Sequence, residues 1–250
     1  MELKLGRHAT FILSMGGVRL LVDPVLSPAG AMPPIDNSPN DRRNPLVELP
    51  LDEKELFAAD AILVTHTHRD HFDAAAAERL PKDRPVLCQP ADEAKLRDFG
   101  FTSVTPVDTA VEWRGITLTR TGGRHGRGEL ADRLGPVSGY VLRCPGEPVL
   151  YIAGDTVWCP EVESALAEHR PDDVVLFAGA AQFNTGGPIT MDIADIAAVC
   201  RAVPSAQVAV VHMETFNHCL LTRAALRDYL AKEGLAGRVA VPEDGERVKL

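Results

Sequence analysis

Ala61-Ile62-Leu63-Val64-Thr65-His66-Thr67-His68-Arg69-Asp70-His71 sets an apolar run directly before three imidazoles and a carboxylate. The run reads as a strand. Alternation at its end turns His66 and His68 the same way, and the turn that follows brings Asp70 and His71 round. Histidine and aspartate both ligate first-row divalent cations, so the stretch reads as a metal loop. The competing reading is a polar loop or helix cap, with Asp70 closing a helix that starts near Phe72. Four such residues at this spacing are hard to account for that way.

Working outward, three more polar residues each follow an apolar segment with strand character. His125 comes after Ile116-Thr117-Leu118-Thr119-Arg120-Thr121-Gly122-Gly123, whose glycines let the backbone turn a corner. Asp155 follows Val149-Leu150-Tyr151-Ile152-Ala153-Gly154, and His212 follows Gln207-Val208-Ala209-Val210-Val211. The last run is nearly continuous in hydrophobicity, as in a strand buried on both faces. A lone histidine after a strand is more often structural than ligating. Beside the first cluster the balance reverses.

The whole set resembles the metallo-β-lactamase superfamily, whose His-x-His-x-Asp-His loop is followed by a distant histidine, an aspartate often within Gly-Asp-Thr, and a final histidine. The matching positions are His66, His68, Asp70, His71, His125, Asp155 within Gly154-Asp155-Thr156, and His212. The resemblance implies an α/β (α+β) chain folded as a four-layer αββα sandwich with metals at one edge of the packed sheets. It implies that His66, His68 and His125 hold one ion, that Asp70, His71 and His212 hold a second, and that Asp155 bridges them. A narrower likeness, carried by His8-Ala9-Thr10-Phe11-Ile12-Leu13 and Leu20-Leu21-Val22-Asp23-Pro24, points to the branch containing ascorbate-6-phosphate lactonase.

The chemistry is self-consistent. Two cations about 3.5–4 Å apart can share a hydroxide, lower the pKa of its parent water and polarise the electrophile under attack. No serine or cysteine nucleophile is needed. Asp70 is the catalytic candidate, orienting the hydroxide or passing a proton to the leaving group. Zinc is the expected metal, with manganese or iron as alternatives that supply would decide. The leading function is a metal-dependent hydrolase of a small ester, lactone or phosphoester. An iron-containing oxidoreductase or sulfur-handling protein of the same fold, and a non-catalytic metal-binding protein, are the alternatives.

Composition fits that reading. A chain of 250 residues with 45% hydrophobic content can bury a substantial core as one domain, residues 1–250. The opening Met1-Glu2-Leu3-Lys4-Leu5-Gly6-Arg7-His8 is charged where an export signal would be apolar, and no run reaches the roughly 20 residues of a membrane span, so a cytoplasmic protein is expected. Cys88, Cys144, Cys159, Cys200 and Cys219 are scattered and make no disulfide framework. The net charge of −9 disfavours nucleic acid as a partner and leaves a small molecule as the expected one. A homo-oligomer stays open.

Strands are predicted near 9–14, 17–23, 61–65, 84–88, 103–107, 110–121, 137–144, 147–153, 173–178, 207–212, 238–241 and 246–249. Helices are predicted near 72–80, 91–99, 160–168, 191–202 and 222–232, with Thr190 and Thr222 as N-caps. Residues 24–50 hold seven of the nineteen prolines and little periodicity, which suits either a lid over the metal edge or a plain loop. Arg69, Arg124 and Arg127 either surround the site and pair with an anionic substrate or point to solvent, and Arg42-Arg43 either reach the site from the proline-rich stretch or keep that loop solvated. Gln182 and Asn184, in a loop after a buried strand, and Asn217 or His218, just past the last ligand, are further substrate-facing candidates. Cys159 and Trp158 are read as packing, and His8 and Asp23 as supporting residues, Asp23 accepting a hydrogen bond from the metal loop.

Overall fold

The strand that leads into the metal loop is buried on both sides. In the computed structural model, which describes residues 1–250, Ala61 and Leu63 point into one apolar cluster while Ile62 and Val64 point into another. A strand with a period of two and no solvent face must be apolar throughout, and this one is.

Two seven-stranded sheets supply those faces. The first holds β1 (Glu2–Arg7), β2 (Thr10–Met15), β3 (Val18–Val22), β4 (Ala61–Val64), β5 (Val86–Cys88) and β6 (Val104–Pro106). The second holds β7 (Ala110–Trp113), β8 (Ile116–Thr121), β9 (Gly139–Arg143), β10 (Leu150–Ile152), β11 (Asp173–Phe177), β12 (Gln207–Val211) and β13 (Val239–Ala240). The chain then returns to the first sheet as β14 (Arg247–Lys249), pairing with β1. Leu3, Leu5, Phe11 and Leu13 of one sheet meet Ile116, Leu118, Val175 and Phe177 of the other. Burying each such side chain is worth roughly 1.5–3 kcal/mol.

Helices cover both outer faces. α1 (Glu53–Phe57), α2 (Ala74–Arg79) and α3 (Glu93–Asp98) set Leu56, Ala76 and Leu96 against Ile12, Leu21, Ile62 and Val64. α4 (Glu129–Leu134) buries nothing. α5 (Pro160–His169), α6 (Ile193–Ala202) and α7 (Arg223–Lys232) place Val162, Ile196, Val199 and Leu226 on Val174, Leu176, Val208 and Val210. Three apolar layers thus separate four layers of secondary structure, the expected αββα sandwich. No helix is long and apolar enough to cross a membrane.

Some elements differ from expectation. β1 is an additional strand, its Leu3 and Leu5 alternating with charged residues over too short a stretch to stand out. The predicted strand 110–121 is a hairpin: Arg114 (φ +48°) and Gly115 (φ +78°) form a tight turn between β7 and β8. Two positive φ values in a two-residue loop match strand twist, and arginine in the first position concealed it. α1 and α4 are short helices with no clear periodicity. Thr190 does not cap α6; Asp192 does, accepting from the Asp195 backbone N–H, while Thr190 Oγ1 accepts from Ala181 N–H. Thr222 caps α7 as predicted.

Strands β3 to β6 run parallel, as do β10 to β13. Asp23 follows β3, the metal loop follows β4, Asp155 follows β10 and His212 follows β12. His125 follows β8, which runs with β10 because both are antiparallel to β9. All of these residues therefore leave the strands at one edge of the sandwich, where open α/β sheets place their sites.

Candidate metal centre

Local backbone geometry sets each side chain. Gly154 has φ +68°, and a Cβ there would stand 2.4 Å from the Ser138 carbonyl oxygen, so only glycine lets Asp155 follow β10 this closely. His212 holds φ +70°, a left-handed conformation unusual for a side chain with a Cβ, and its N–H donates to the His8 carbonyl (2.9 Å).

The result is a buried knot of nitrogen and carboxylate donors. His66, His68 and His125 bring ligand atoms together, and so do His66, His71 and Asp155, and His8, Asp70, His71 and His212. His66 Nε2 lies 3.0 Å from His68 Nδ1, and His71 Nε2 lies 3.2 Å from His212 Nε2. Asp155 reaches His71 and His212 at 3.2 Å and His125 at 3.6 Å. Asp70 Oδ2 stands 3.7 Å from His212, 3.9 Å from His71, 3.5 Å from His8 and 3.7 Å from His218.

These spacings suit a cation. Metal–nitrogen bonds of about 2.0–2.1 Å in a tetrahedron put adjacent nitrogens roughly 3.3 Å apart. Asp155 Oδ1 is buried and makes no hydrogen bond, although His212 Nε2 lies 3.2 Å from it; a cation between the two would satisfy both. Burial pushes the pKa of His66 and His125 below the ordinary imidazole value, keeping both rings neutral as ligation requires. The residues fit a divalent metal.

Four of the five rings are also aimed from behind. Asp23 accepts from His71 Nδ1–H (2.8 Å) and from both the backbone N–H and the hydroxyl of Thr65 (2.7 and 2.6 Å). With its proton committed to Asp23, Thr65 Oγ1 can only accept from His66 Nδ1–H (3.2 Å). His125 Nδ1–H donates to the Ile189 carbonyl (3.0 Å), and the Cys219 sulfur lies 3.7 Å from His212 Nδ1. In all four rings Nε2 is left facing the cluster.

The family model of the beta-lactamase superfamily domain matches residues 18–213. The chain belongs to that superfamily. Among superfamily relatives, it is 38% identical to UPF0173 protein YddR of Bacillus subtilis over 244 residues, 96% of each chain. It is 28% identical to a UPF0173 metal-dependent hydrolase of Azorhizobium caulinodans, over 96% of this chain and 95% of that one. Among solved structures, an isothiocyanate hydrolase from Delia radicum gut bacteria superposes with a TM-score of 0.96 at 37% identity, covering 100% of this chain and 99% of that one. A possible metal-dependent hydrolase from Veillonella parvula gives 0.97 at 35% identity with the same coverage. None of these superfamily members is named an ascorbate-6-phosphate lactonase, and that narrower likeness rests on the N-terminal residues alone.

In this superfamily member the seven residues His66, His68, Asp70, His71, His125, Asp155 and His212 come together, while the residues read as substrate-facing divide. A cavity of about 300 Å³ opens over His68, Asp70 and His125, with Arg69 and His218 in its wall. Arg69 donates to the Pro34 carbonyl (2.5 Å). Arg124 is exposed and paired with Glu161 (2.9 Å), and Arg127 with Asp195 (2.9 Å), so the structure does not gather three guanidiniums at the site. Asn184 is exposed and bonded to Asn37; Gln182 uses its backbone N–H on the His218 carbonyl and does not line the cavity. Arg43 donates to the carbonyls of Gly30 and Ala31 within its own segment. Cys159 is buried beside Thr156, its thiol pKa pushed up by burial.

Sequence reading missed the apolar wall of Ile35, Leu134, Phe183 and Ile189 and the place of Cys219 behind His212. The wall comes from irregular segments with no periodicity to mark it. Cys219 follows His218 directly, and that adjacency was the available signal. Asn217 turns away from the cavity, whereas His218 faces Asp70.

Proposed function

We propose that this chain is a binuclear metal-dependent hydrolase of small, largely apolar electrophiles, with isothiocyanates the first class and carboxyl esters or lactones the second. The observation that carries the reading is the meeting of seven donor residues, three of which (His68, Asp70 and His125) line a small cavity that Ile35, Leu134, Phe183 and Ile189 also line. At about 300 Å³ that cavity is at the small end of ligand pockets. The relative named an isothiocyanate hydrolase supports the first class, and the engagement of Arg124 and Arg127 with Glu161 and Asp195 weakens the case for an anionic substrate. The charge of −9 and the cavity size favour a small molecule over a nucleic acid.

In this reading His66, His68 and His125 would hold one ion, Asp70, His71 and His212 would hold the other, and Asp155 would serve both. Zinc is the proposed metal, with manganese or iron able to replace it. When bound, the ions supply a hydroxide nucleophile at neutral pH and polarise the electrophile. The apolar residues Ile35, Leu134, Phe183 and Ile189 face the substituent of the substrate.

For an isothiocyanate, water adds at the central carbon and a proton goes to nitrogen. The thiocarbamic acid so formed passes its remaining proton to nitrogen as the carbon–nitrogen bond breaks, releasing carbonyl sulfide and the amine. For that proton the geometry favours His218 over Asp70. Burial pushes the Asp70 carboxyl up, but the surrounding His71, His212, His8 and His218 outweigh it and hold Asp70 well below the usual carboxylate range. His218 lines the cavity, and although burial lowers its pKa, Cys219 and Asp70 raise it above the ordinary imidazole value. An imidazole that lines the cavity can donate through its ring N–H.

The test combines metal analysis by mass spectrometry with hydrolysis of allyl and benzyl isothiocyanate, carboxyl esters, lactones and phosphodiesters after zinc or manganese reconstitution. Two equivalents of metal with chelator-sensitive amine release are expected. A metal-replete protein inactive on all of these would overturn the proposal.

A further inference from the structure

Asn217 is almost fully buried and spends its whole hydrogen-bonding capacity on one stretch of chain. Its Oδ1 accepts from the Ile35 backbone N–H and from Asn44 Nδ2, both at 2.9 Å. Its Nδ2 donates to Ser38 Oγ (2.6 Å) and to the Asn40 carbonyl (2.7 Å). Its backbone N–H donates to Asn44 Oδ1 (2.8 Å), and its carbonyl accepts from Asn40 Nδ2 (2.7 Å). One side chain and its own peptide groups thus hold residues 35–44 against the segment that runs from His212 to His218.

The base of the same proline-rich stretch is fixed independently. Arg7, fully buried, donates to the carbonyls of Val25 (3.2 Å), Ser27 (2.5 Å) and Val47 (2.6 Å), joining its two ends. Further along, the Asn184 N–H donates to the Asn37 carbonyl (2.7 Å), tying the stretch to the loop that carries Phe183 and Ile189. The groups of Asn217 are all paired with the stretch, and such a network is costly to open because any retreat strands buried donors and acceptors. The segment is therefore a strap with little freedom to withdraw. Ile35, whose own N–H is one of the bonds to Asn217, lines the cavity together with Phe183 and Ile189.

We infer that the strap over residues 33–44, held by Asn217, sets the upper size of the substrate's substituent, and that Ile35 is the residue that enforces the limit. This rests on the hydrolase reading above for its substrate, though not for its geometry. A fixed apolar wall accepts a small alkyl group and rejects a bulky one by overlap. One methylene in such a pocket changes discrimination by about tenfold or more. Asn217 is a positioning residue: it touches no substrate and acts through the backbone of Ile35.

The experiment compares wild type with Ile35→Ala and Asn217→Ala in three readouts. The first is the ratio of kcat/KM for naphthyl over allyl isothiocyanate, expected to rise about tenfold in Ile35→Ala with metal content unchanged. The second is calorimetric binding of alkyl hydroxamates of increasing bulk to the zinc-loaded proteins, where affinity should break off at a smaller substituent in wild type than in Ile35→Ala. The third is hydrogen exchange, where the Ile35 and Asn44 amides should be protected in wild type and lose protection in Asn217→Ala while β11 and β12 stay protected. If turnover is present but neither the ratio nor the hydroxamate limit moves, the inference is overturned. Strap amides that exchange freely in wild type would also overturn it. If no substrate is turned over yet the hydroxamate limit moves, the hydrolase reading fails and the size limit stands.

Discussion

Asp23 Oδ2 lies 2.8 Å from His71 Nδ1 and 2.6 Å from the Thr65 hydroxyl, which in turn faces His66. One buried carboxylate therefore aims a ring in each proposed half of the metal centre. Supporting partners of this kind typically account for 10–100-fold in metal affinity. Asp23→Ala should lose about that factor at both halves, read by titration against a chromophoric chelator. Loss of one equivalent with the other held at wild-type affinity would show that Asp23 serves only one half.

Metal uptake should expel protons. In the metal-free protein, burial pushes the His71 pKa down, but Asp155, Asp70 and Asp23 together raise it to about 10, above the ordinary 6.5. That proton stabilises the metal-free fold fully below about pH 6.5, and its contribution fades as pH rises through about 10. A cation needs the neutral ring, so metal affinity should increase with pH over this window. Zinc calorimetry at pH 7 in buffers of different ionisation enthalpy should count about one proton or more per protein. A count of zero would be inconsistent with a protonated His71.

Chelation should cost stability as well as activity. A ligand present at a hundredfold excess over its Kd stabilises the native state by about 2.7 kcal/mol. For a chain of this length that corresponds to a fall in Tm of roughly 5–10 °C on metal removal. Differential scanning calorimetry before and after dialysis against EDTA checks it, and an unchanged Tm would indicate that the buried donors are content without a cation.

Gly154→Ala should be among the most damaging single-atom-scale changes. The new Cβ would meet the Ser138 carbonyl at 2.4 Å from a backbone at φ +68°. Overpacking and left-handed strain together are expected to cost about 2–4 kcal/mol, and the shift would displace Asp155. Urea denaturation measures the first, and metal content the second.

Arg124→Ala should leave turnover within about twofold of wild type, since an exposed ion pair is weakly coupled to its surroundings. Its partner is Glu161 in the first turn of α5, at 2.9 Å. A large rise in KM would instead return Arg124 to the substrate site, where its place beside His125 in the chain had suggested it belonged.

Donor chemistry and layering are both legible in the order of residues along the chain. The His66 to His71 loop and the isolated His125, Asp155 and His212 are legible because each follows an apolar run, and a strand end is where a period-two pattern stops. Runs such as Val208-Ala209-Val210-Val211 announce two buried faces, which only a sandwich with covered sheets provides. Asp23 as a support for the loop was visible in the same way, just beyond β3.

Tertiary structure alone decided what surrounds those donors. The directions of Arg69, Arg124 and Asn184 depend on Pro34, Glu161 and Asn37, partners distant in the chain that leave no periodic mark. Asn217 and the strap meet across more than 170 residues, and Ile35 becomes a cavity wall only through that meeting. Periodicity encodes which face of an element is buried. It carries no information on which irregular segment will satisfy a given buried amide, because that is settled by hydrogen-bond geometry that exists only once the two sheets have packed.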